Sequence, residues 1–259
     1  MKRKPYYETE LGKLYHGNCL DIMPQLEPVD LVICDLPYGT TACKWDTVIP
    51  FKPLWKQYKR LINDDGAILL MAMQPFTSAL VMSNIGWFKY EWIWIKNSGA
   101  DVLMAKNKPL NRTESVLVFS NATFGTDSKN RMKYNPQGVI RINKNISGKN
   151  ISGKNFCPGR TFKKVSFVQT HTNYPNNILK FKKDGKLHPS QKPADLFEYL
   201  IKTYANDDDT IIDNCAGSGT TAIACERLKR KWIGIEIEEK YCEIAAKRIE
   251  QERKQLKLF

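Results

Sequence analysis

The 259-residue sequence has only three histidines and no Cys-x-x-Cys pair. Zinc sites need clustered thiolate and imidazole ligands, so no metal centre is expected. No apolar run approaches the ~20 residues that cross a bilayer. The basic start, Met1-Lys2-Arg3-Lys4-Pro5, is followed by no apolar stretch, so no secretory signal is expected. The seven cysteines are scattered, several of them inside apolar runs where Cys serves as a small hydrophobe. A reducing, intracellular setting follows from that usage.

Acid is nearly missing from one stretch. Residues 127–187 hold 14 Lys and Arg but only Asp127 and Asp184, a net charge of +12. The whole chain is +13, so the remainder is close to neutral. A basic segment on a neutral body points to a polyanion partner. The same stretch is rich in Asn, Lys, Ser and Gly. It carries a tandem repeat, Asn145-Ile146-Ser147-Gly148-Lys149 and Asn150-Ile151-Ser152-Gly153-Lys154, which reads as a flexible loop. Aromatics are interleaved (Tyr134, Phe156, Phe162, Phe167, Tyr174, Phe181); some are expected to build a small core, the default reading, and one or two could wedge or stack on bases.

Both flanks alternate strand-like and helix-like patterns. Val29–Cys34, Ala67–Met71, Glu91–Lys96 and Ser115–Phe119 read as buried strands. Pro53–Ile62 and Pro75–Ser83 read as helices, with a turn at Asn63-Asp64-Asp65-Gly66. After His188, helices are expected over Pro193–Tyr204, Thr220–Leu228 and Glu239–Lys254, with strands at Thr210–Asn214 and Lys231–Ile237. Short apolar strands alternating with helices predict a doubly wound, mostly parallel α/β sheet. One domain, 1–126 plus 188–259, is interrupted by a basic insert at 127–187.

Two strings carry chemistry. Asp35-Leu36-Pro37-Tyr38 ends the first strand and places a carboxylate, a rigid turn and an aromatic face together. That equipment suits a flat, amino-bearing base. Asp213-Asn214-Cys215-Ala216-Gly217-Ser218-Gly219-Thr220-Thr221 joins a strand to a helix. Its small residues let a ligand approach backbone, and the helix start offers free N–H groups. It is neither Gly-x-Gly-x-x-Gly nor a Walker loop, because no Lys follows the second Gly. Glu236, at the end of the next strand, suits a ribose diol.

Together these strings resemble the S-adenosylmethionine-dependent amino-methyltransferases of DNA, whose catalytic string is Asp/Asn/Ser-Pro-Pro-Tyr and whose cofactor string is close to Phe-x-Gly-x-Gly. With the catalytic string first, the variable basic region next and the cofactor string last, the order resembles the permuted β group. Tyr15–Leu20 looks like the segment near the cofactor adenine. His188–Pro193 looks like the segment beside the methionine part, and Trp232–Glu236 like the ribose-binding strand. The resemblance implies a seven-stranded-type methyltransferase sheet with a target-recognition insert. It implies S-adenosyl-L-methionine held by Asn18, Cys19, Ser190, Lys192, Asp213, Asn214, Ala216, Gly217, Gly219, Thr220 and Glu236.

It further implies a bacterial or phage enzyme working in the cytoplasm on double-stranded DNA, as a candidate homodimer with a cognate restriction endonuclease as a candidate partner. Arg131, Lys133, Arg141, Lys144, Lys149, Lys154, Arg160, Lys163 and Lys164 are the expected phosphate contacts. Three positions depart from the family pattern. Leu36 replaces the first Pro, Asn214-Cys215-Ala216 replaces an aromatic or proline and a small residue, and Asn18 replaces a frequent Asp.

On the resemblance, Asp35 and the Leu36 carbonyl would accept the two N–H bonds of the target amine, and Tyr38 would stack on the flipped base. Asp at the head of the string favours adenine N6 over cytosine N4. Transfer to cytosine C5 is not expected, because it needs a nucleophilic cysteine, typically in Pro-Cys; here Cys157-Pro158 runs in reverse. RNA adenine remains an alternative substrate. A binding protein that has lost activity is the non-catalytic alternative, opposed by the intact Asp35, Pro37, Tyr38, Gly217 and Gly219.

Overall fold

The computed structural model of the protein describes residues 3–41, 43, 46–100, 102–123, 131–147, 166–182 and 191–256. Its elements run β1 (Tyr7–Glu8), β2 (Gly12–His16), α1 (Cys19–Ile22), β3 (Val29–Asp35), α2 (Phe51–Leu61), β4 (Ile62–Ala72), α3 (Phe76–Ser83), β5 (Phe88–Ala100), β6 (Asn111–Phe119), β7 (Ile140–Ser147), β8 (Ser166–Thr172), β9 (Ile178–Leu179), α4 (Ala194–Tyr204), β10 (Thr210–Asp213), α5 (Thr220–Leu228), β11 (Lys231–Glu236) and α6 (Glu239–Leu256).

Nine strands form one sheet in the order β1-β2-β11-β10-β3-β4-β6-β5-β9. The run from β2 to β4 is parallel throughout. β6 enters antiparallel between β4 and β5. The α/β class expected from the sequence is therefore what the chain forms, with β1 and β9 as two-residue edges.

Alternation along each strand sends side chains to two faces. Leu31, Ile33, Leu69, Met71, Trp92, Trp94, Val116 and Val118 pack on one face, with residues of α4, α5 and α6. Val32, Cys34, Ile68, Leu70, Leu117 and Phe119 pack on the other, with α1, α2 and α3. Strands covered on both faces read as continuous apolar runs, which is why β3 and β4 were legible.

The turn expected at Asn63–Gly66 is not one. These residues belong to β4, which starts at Ile62. Their polar groups find partners that keep the chain extended. Asn63 Nδ2 donates to Asp30 Oδ1 at 2.9 Å, and Ser120 Oγ donates to the Gly66 carbonyl at 2.7 Å. A register shift between Val29 and Leu31 absorbs the irregularity.

Chain contacts divide the protein into two units, Met1–Asn135 with Asn177–Phe259, and Pro136–Asn176. The second unit is narrower than the 127–187 expected. It holds the antiparallel ribbon of β7 and β8, so Asn145–Ser147 of the repeat are strand rather than loop. The repeat beyond Ser147 lies outside the described residues, as do Phe156 and Phe162. The interleaved aromatics among the described residues do not make a small core of their own. Phe167 and Tyr174 are exposed, whereas Tyr134 packs edge-on to Tyr204 and Phe181 against Tyr199 in the main unit. Among the described residues no helix is long and apolar enough to cross a membrane.

Candidate active site

The carboxyl ends of parallel strands are where doubly wound sheets bind ligands. Here β3 ends in Asp35 and β11 in Glu236. A cavity of about 530 Å³ opens there, lined by Asp35, Tyr38, Glu114 and Lys192 as well as Asn18, Cys19, Gly217 and Glu236. The two strings, far apart in sequence, thus share one cavity.

At the glycine end, Gly217 and Gly219 have φ of +51° and +81°, in the left-handed region that glycine adopts without strain. Gly219 also caps α5, and a Cβ there would lie 2.9 Å from Ala245 Cβ. Glu236 is 6 % exposed and ties the turn together. Its Oε2 accepts from Gly217 N at 2.7 Å and its Oε1 from Glu238 N at 2.8 Å. Burial raises the Glu236 carboxyl above its usual range, against the pull of those amides.

Asp213 lies beneath the turn and is not among the cavity-lining residues. It accepts from the Thr221 hydroxyl and from Cys215 N, and burial pushes its carboxyl up to about 6. Its place is that of a brace for the turn. Ala216, Gly219 and Thr220 likewise shape the turn without lining the cavity, whereas Asn214, Cys215 and Gly217 reach it. Asn214 Oδ1 accepts from Tyr58 OH at 2.7 Å. Asn18 caps α1 by accepting from Leu20 N at 2.9 Å.

At the Asp35 end, two carboxylates and two ammonium groups alternate. Lys192 Nζ lies 2.9 Å from Asp35 Oδ2 and 2.7 Å from Glu114 Oε1. Lys96 Nζ lies 3.0 Å from Glu114 Oε2. Tyr38 OH is 2.8 Å from Asp35 Oδ1 and 2.9 Å from Glu114 Oε1, donating its one proton to either. Phe76 stacks on the Tyr38 ring at 5.2 Å between centroids. Leu36 is buried among the apolar residues on the α2 side of the sheet. Pro37 lines the cavity beside it.

Burial pushes Asp35 above the ordinary carboxyl range, opposed by Lys192. Glu114 is buried too, but Lys192 and Lys96 together hold it below its usual value. Burial and both carboxylates push the Tyr38 hydroxyl well up, so Tyr38 stays a neutral donor. Lys192 is raised by Asp35 and Glu114 in spite of its burial and stays charged.

Lys192 was expected among the cofactor contacts. The structure places its ammonium on Asp35 and Glu114, and its carbonyl 3.5 Å from Thr220 Oγ1. Ser190 lies outside the described residues. Lys96 and Glu114 went unnoticed in the sequence. The available signal was alternation: Trp92, Trp94 and Lys96 share one buried face of β5, and Glu114, Val116 and Val118 share the matching face of β6.

Of the expected phosphate contacts, Lys133 is otherwise engaged. Its ammonium lies 2.9 Å from both Asp30 and Asp209, which leaves its side chain 14 % exposed. Arg131 is exposed in the main unit; Arg141 and Lys144 are exposed on β7. Lys149, Lys154, Arg160, Lys163 and Lys164 lie outside the described residues.

A glycine turn tied to an acid at one end of a cavity, and a buried carboxylate on a strand end at the other, define a group-transfer enzyme with a nucleoside-bearing donor. The model of the DNA methylase family of N6- and N4-methyltransferases matches residues 29–247. The chain belongs to that family, the S-adenosylmethionine-dependent DNA amino-methyltransferases.

Among its relatives, the Type II methyltransferase M1.MboII of Moraxella bovis is 29 % identical over 90 % of this chain and 94 % of its own length. The Type II methyltransferase M.HpaI of Haemophilus parainfluenzae is 27 % identical over 93 % of this chain and 74 % of its own. In fold the chain is similar to the M1.HpyAVI–SAM complex (TM-score 0.59, 23 % identity, 92 % of this chain and 100 % of that one). It is also similar to the cytosine-N4-specific PvuII DNA methyltransferase (TM-score 0.68, 18 % identity, 98 % of this chain and 95 % of that one).

The cavity fits the family's donor. Glu236 offers carboxylate oxygens beside backbone that carries no side chain at Gly217. Gln191, which also lines the cavity, has a buried Oε1 without a partner among the described residues.

Proposed function

We propose that this enzyme methylates the exocyclic N6 of adenine in duplex DNA, with Asp35 as the acceptor that orients the target amine. The observation that carries this reading is a carboxylate, not a hydroxyl, at the end of β3, facing the donor cavity and held by Lys192. Glu236, Gly217, Asn18, Cys19, Asn214 and Gln191 would hold S-adenosylmethionine, which supplies an electrophilic methyl group. Asp213 and Gly219 set the turn beneath it.

Adenine N6 is a poor nucleophile because its lone pair is delocalised into the ring. Asp35 accepting one N–H and the Leu36 carbonyl accepting the other favour a pyramidal nitrogen with its lone pair freed. The nitrogen becomes acidic once methylated, and its proton leaves then, so Asp35 need not remove it first. Tyr38, backed by Phe76, would stack on the flipped base. Holding both reactants at contact distance contributes up to ~7–11 kcal/mol to such reactions. Exposed bases of the second unit, Arg141 and Lys144, hold phosphates.

The fold neighbour specific for cytosine N4 keeps cytosine as the second reading. Incubating the protein with labelled S-adenosylmethionine and duplex DNA, then digesting to nucleosides, decides between them. N6-methyladenine supports the proposal; N4-methylcytosine transfers the same machinery to the other base. Label in RNA alone, or none in either polymer, defeats it.

A further inference from the structure

Both oxygens of Asp35 already have partners. Oδ1 faces Tyr38 OH at 2.8 Å and Oδ2 faces Lys192 Nζ at 2.9 Å. Each carboxylate oxygen has two lone pairs, so an incoming N–H can join either one. Lys192 is the only ammonium among the described residues that an ion pair joins to Asp35, and it is shared with Glu114 at a shorter 2.7 Å.

We propose that Lys192 is the positioning residue of the transfer: its ammonium is the counter-ion that keeps Asp35 an acceptor and fixes its direction, and Glu114 is the seat that keeps the ammonium in place as the amine arrives. This inference rests on Asp35 being the amine acceptor.

The electrostatics follow from the neighbours. Tyr38 faces Asp35 from its own loop, Glu114 from β6 and Lys192 from the segment before α4. Lys96 of β5 reaches it through Glu114, and Asp213 of β10 adds a more distant negative charge. Cys34, next in the chain, is itself fully buried.

Without Lys192, Asp35 and Glu114 become two enclosed carboxylates around one hydroxyl. Like charges so placed do not both stay ionised. Glu114 keeps Lys96, so Asp35 is the one that takes up a proton. A protonated Asp35 donates a hydrogen bond where the chemistry needs an acceptor. Tyr38 does not substitute, since its neutral hydroxyl is a weaker acceptor than a carboxylate.

The test is the pH profile of single-turnover methylation at saturating donor and DNA, for wild type, Lys192→Met, Lys192→Arg, Glu114→Gln and Asp35→Asn. Lys192→Met should move the acid limb to higher pH by about 1–3 units, the usual effect of an opposite charge at this range. Lys192→Arg should restore the wild-type limb. Glu114→Gln should move the limb the other way, to lower pH, because it removes a negative neighbour and leaves Lys192 to Asp35. Opposed shifts are not what two merely structural losses produce.

Should Lys192→Met fail to fold, the downward shift of Glu114→Gln and the rescue by arginine still test the idea. Coincident limbs in the folded variants, or limbs of Lys192→Met and Glu114→Gln that move together, overturn it. Asp35→Asn separates the two levels. If it methylates as fast as wild type, the assignment of Asp35 is wrong; if it is inactive while the limbs coincide, only the role of Lys192 falls.

Discussion

Glu236 accepts a hydrogen bond from the Gly217 amide at 2.7 Å, across the gap between the end of β11 and the turn before α5. Its other oxygen holds the Glu238 amide at 2.8 Å. One buried carboxylate thereby fixes the two backbone turns that flank the donor end of the cavity. On the proposed donor assignment, affinity depends on this side chain twice, through its own oxygens and through the backbone it sets.

Glu236→Ala should weaken S-adenosylmethionine binding by about ten-fold or more, since hydrogen bonds to a charged group are worth about 1.5–3 kcal/mol. Isothermal titration calorimetry measures it directly. An unchanged Kd in a folded variant would remove Glu236 from the donor site. Glu236→Gln should fall between, because its amide oxygen can still accept from one of the two backbone groups.

Asp35→Asn separates donor binding from chemistry. The amide keeps the shape but turns half of an acceptor into a donor. Methyl transfer should drop by about 100-fold or more, the scale seen when one preorganised polar partner is lost. Donor Kd should stay within about two-fold of wild type, below ~0.5 kcal/mol. Equal losses in both would mean that Asp35 supports the cavity rather than the reaction.

Much of this site was legible in the sequence because its parts sit where local pattern is strongest. Asp35 and Glu236 each end an apolar run, and Gly217 and Gly219 punctuate a strand-to-helix join. Lys96 and Glu114 were not legible, because their meaning depends on β5 and β6 pairing antiparallel beside β4. Sequence alternation shows that a residue faces inward, but not what it faces. Lys133 failed for the same reason. In the sequence it is one base in a basic stretch; in space it meets Asp30 and Asp209 from strands or turns far along the chain. The turn expected at Asn63–Gly66 rested on residue types whose polar groups are satisfied by Asp30 and Ser120, partners that are distant in sequence.

Asp46 ties down the residues that follow Tyr38. Its carboxylate accepts from Gly39 N at 2.9 Å, Thr40 N at 2.9 Å and Thr41 N at 2.7 Å. Thr40, Thr41, Val48 and Ile49 line the cavity. Burial opposes ionisation of Asp46, but the amides outweigh it and hold its carboxyl below the usual range. A lowered folded-state value means that the stabilisation is complete above the unfolded pKa of about 3.9 and is lost as pH falls through the folded one. Asp46→Ala should lower stability by about 1–3 kcal/mol at pH 7, because three backbone amides lose a charged acceptor. The deficit relative to wild type should shrink below about pH 4. Thermal melts at the two pH values check this; a deficit that is constant with pH would mean that the charge of Asp46 is irrelevant.

The basic residues of the stretch 127–187 fall into two kinds that look alike in the sequence. Arg141 and Lys144 are exposed on β7, whereas Lys133 is enclosed by carboxylates. Each phosphate contact contributes about −0.9 to the slope of log affinity against log salt on duplex DNA. The pair Arg141→Ala and Lys144→Ala should therefore flatten that slope by up to about 1.8 while leaving the melting temperature nearly unchanged. Lys133→Met should do the reverse. It leaves Asp30 and Asp209 facing each other without their cation, so the melting temperature should fall while the slope stays as in wild type. Asp30 and Asp209 brace the starts of β3 and β10, through the bond from Thr210 N to Asp30 Oδ2 at 2.9 Å and that from Asn206 N to Asp209 Oδ2 at 2.7 Å. Filter binding from low to high salt, paired with thermal melts, reads both effects. A flattened slope for Lys133→Met would place that ammonium on DNA after all, and an unchanged slope for the β7 pair would take the ribbon off the phosphate backbone.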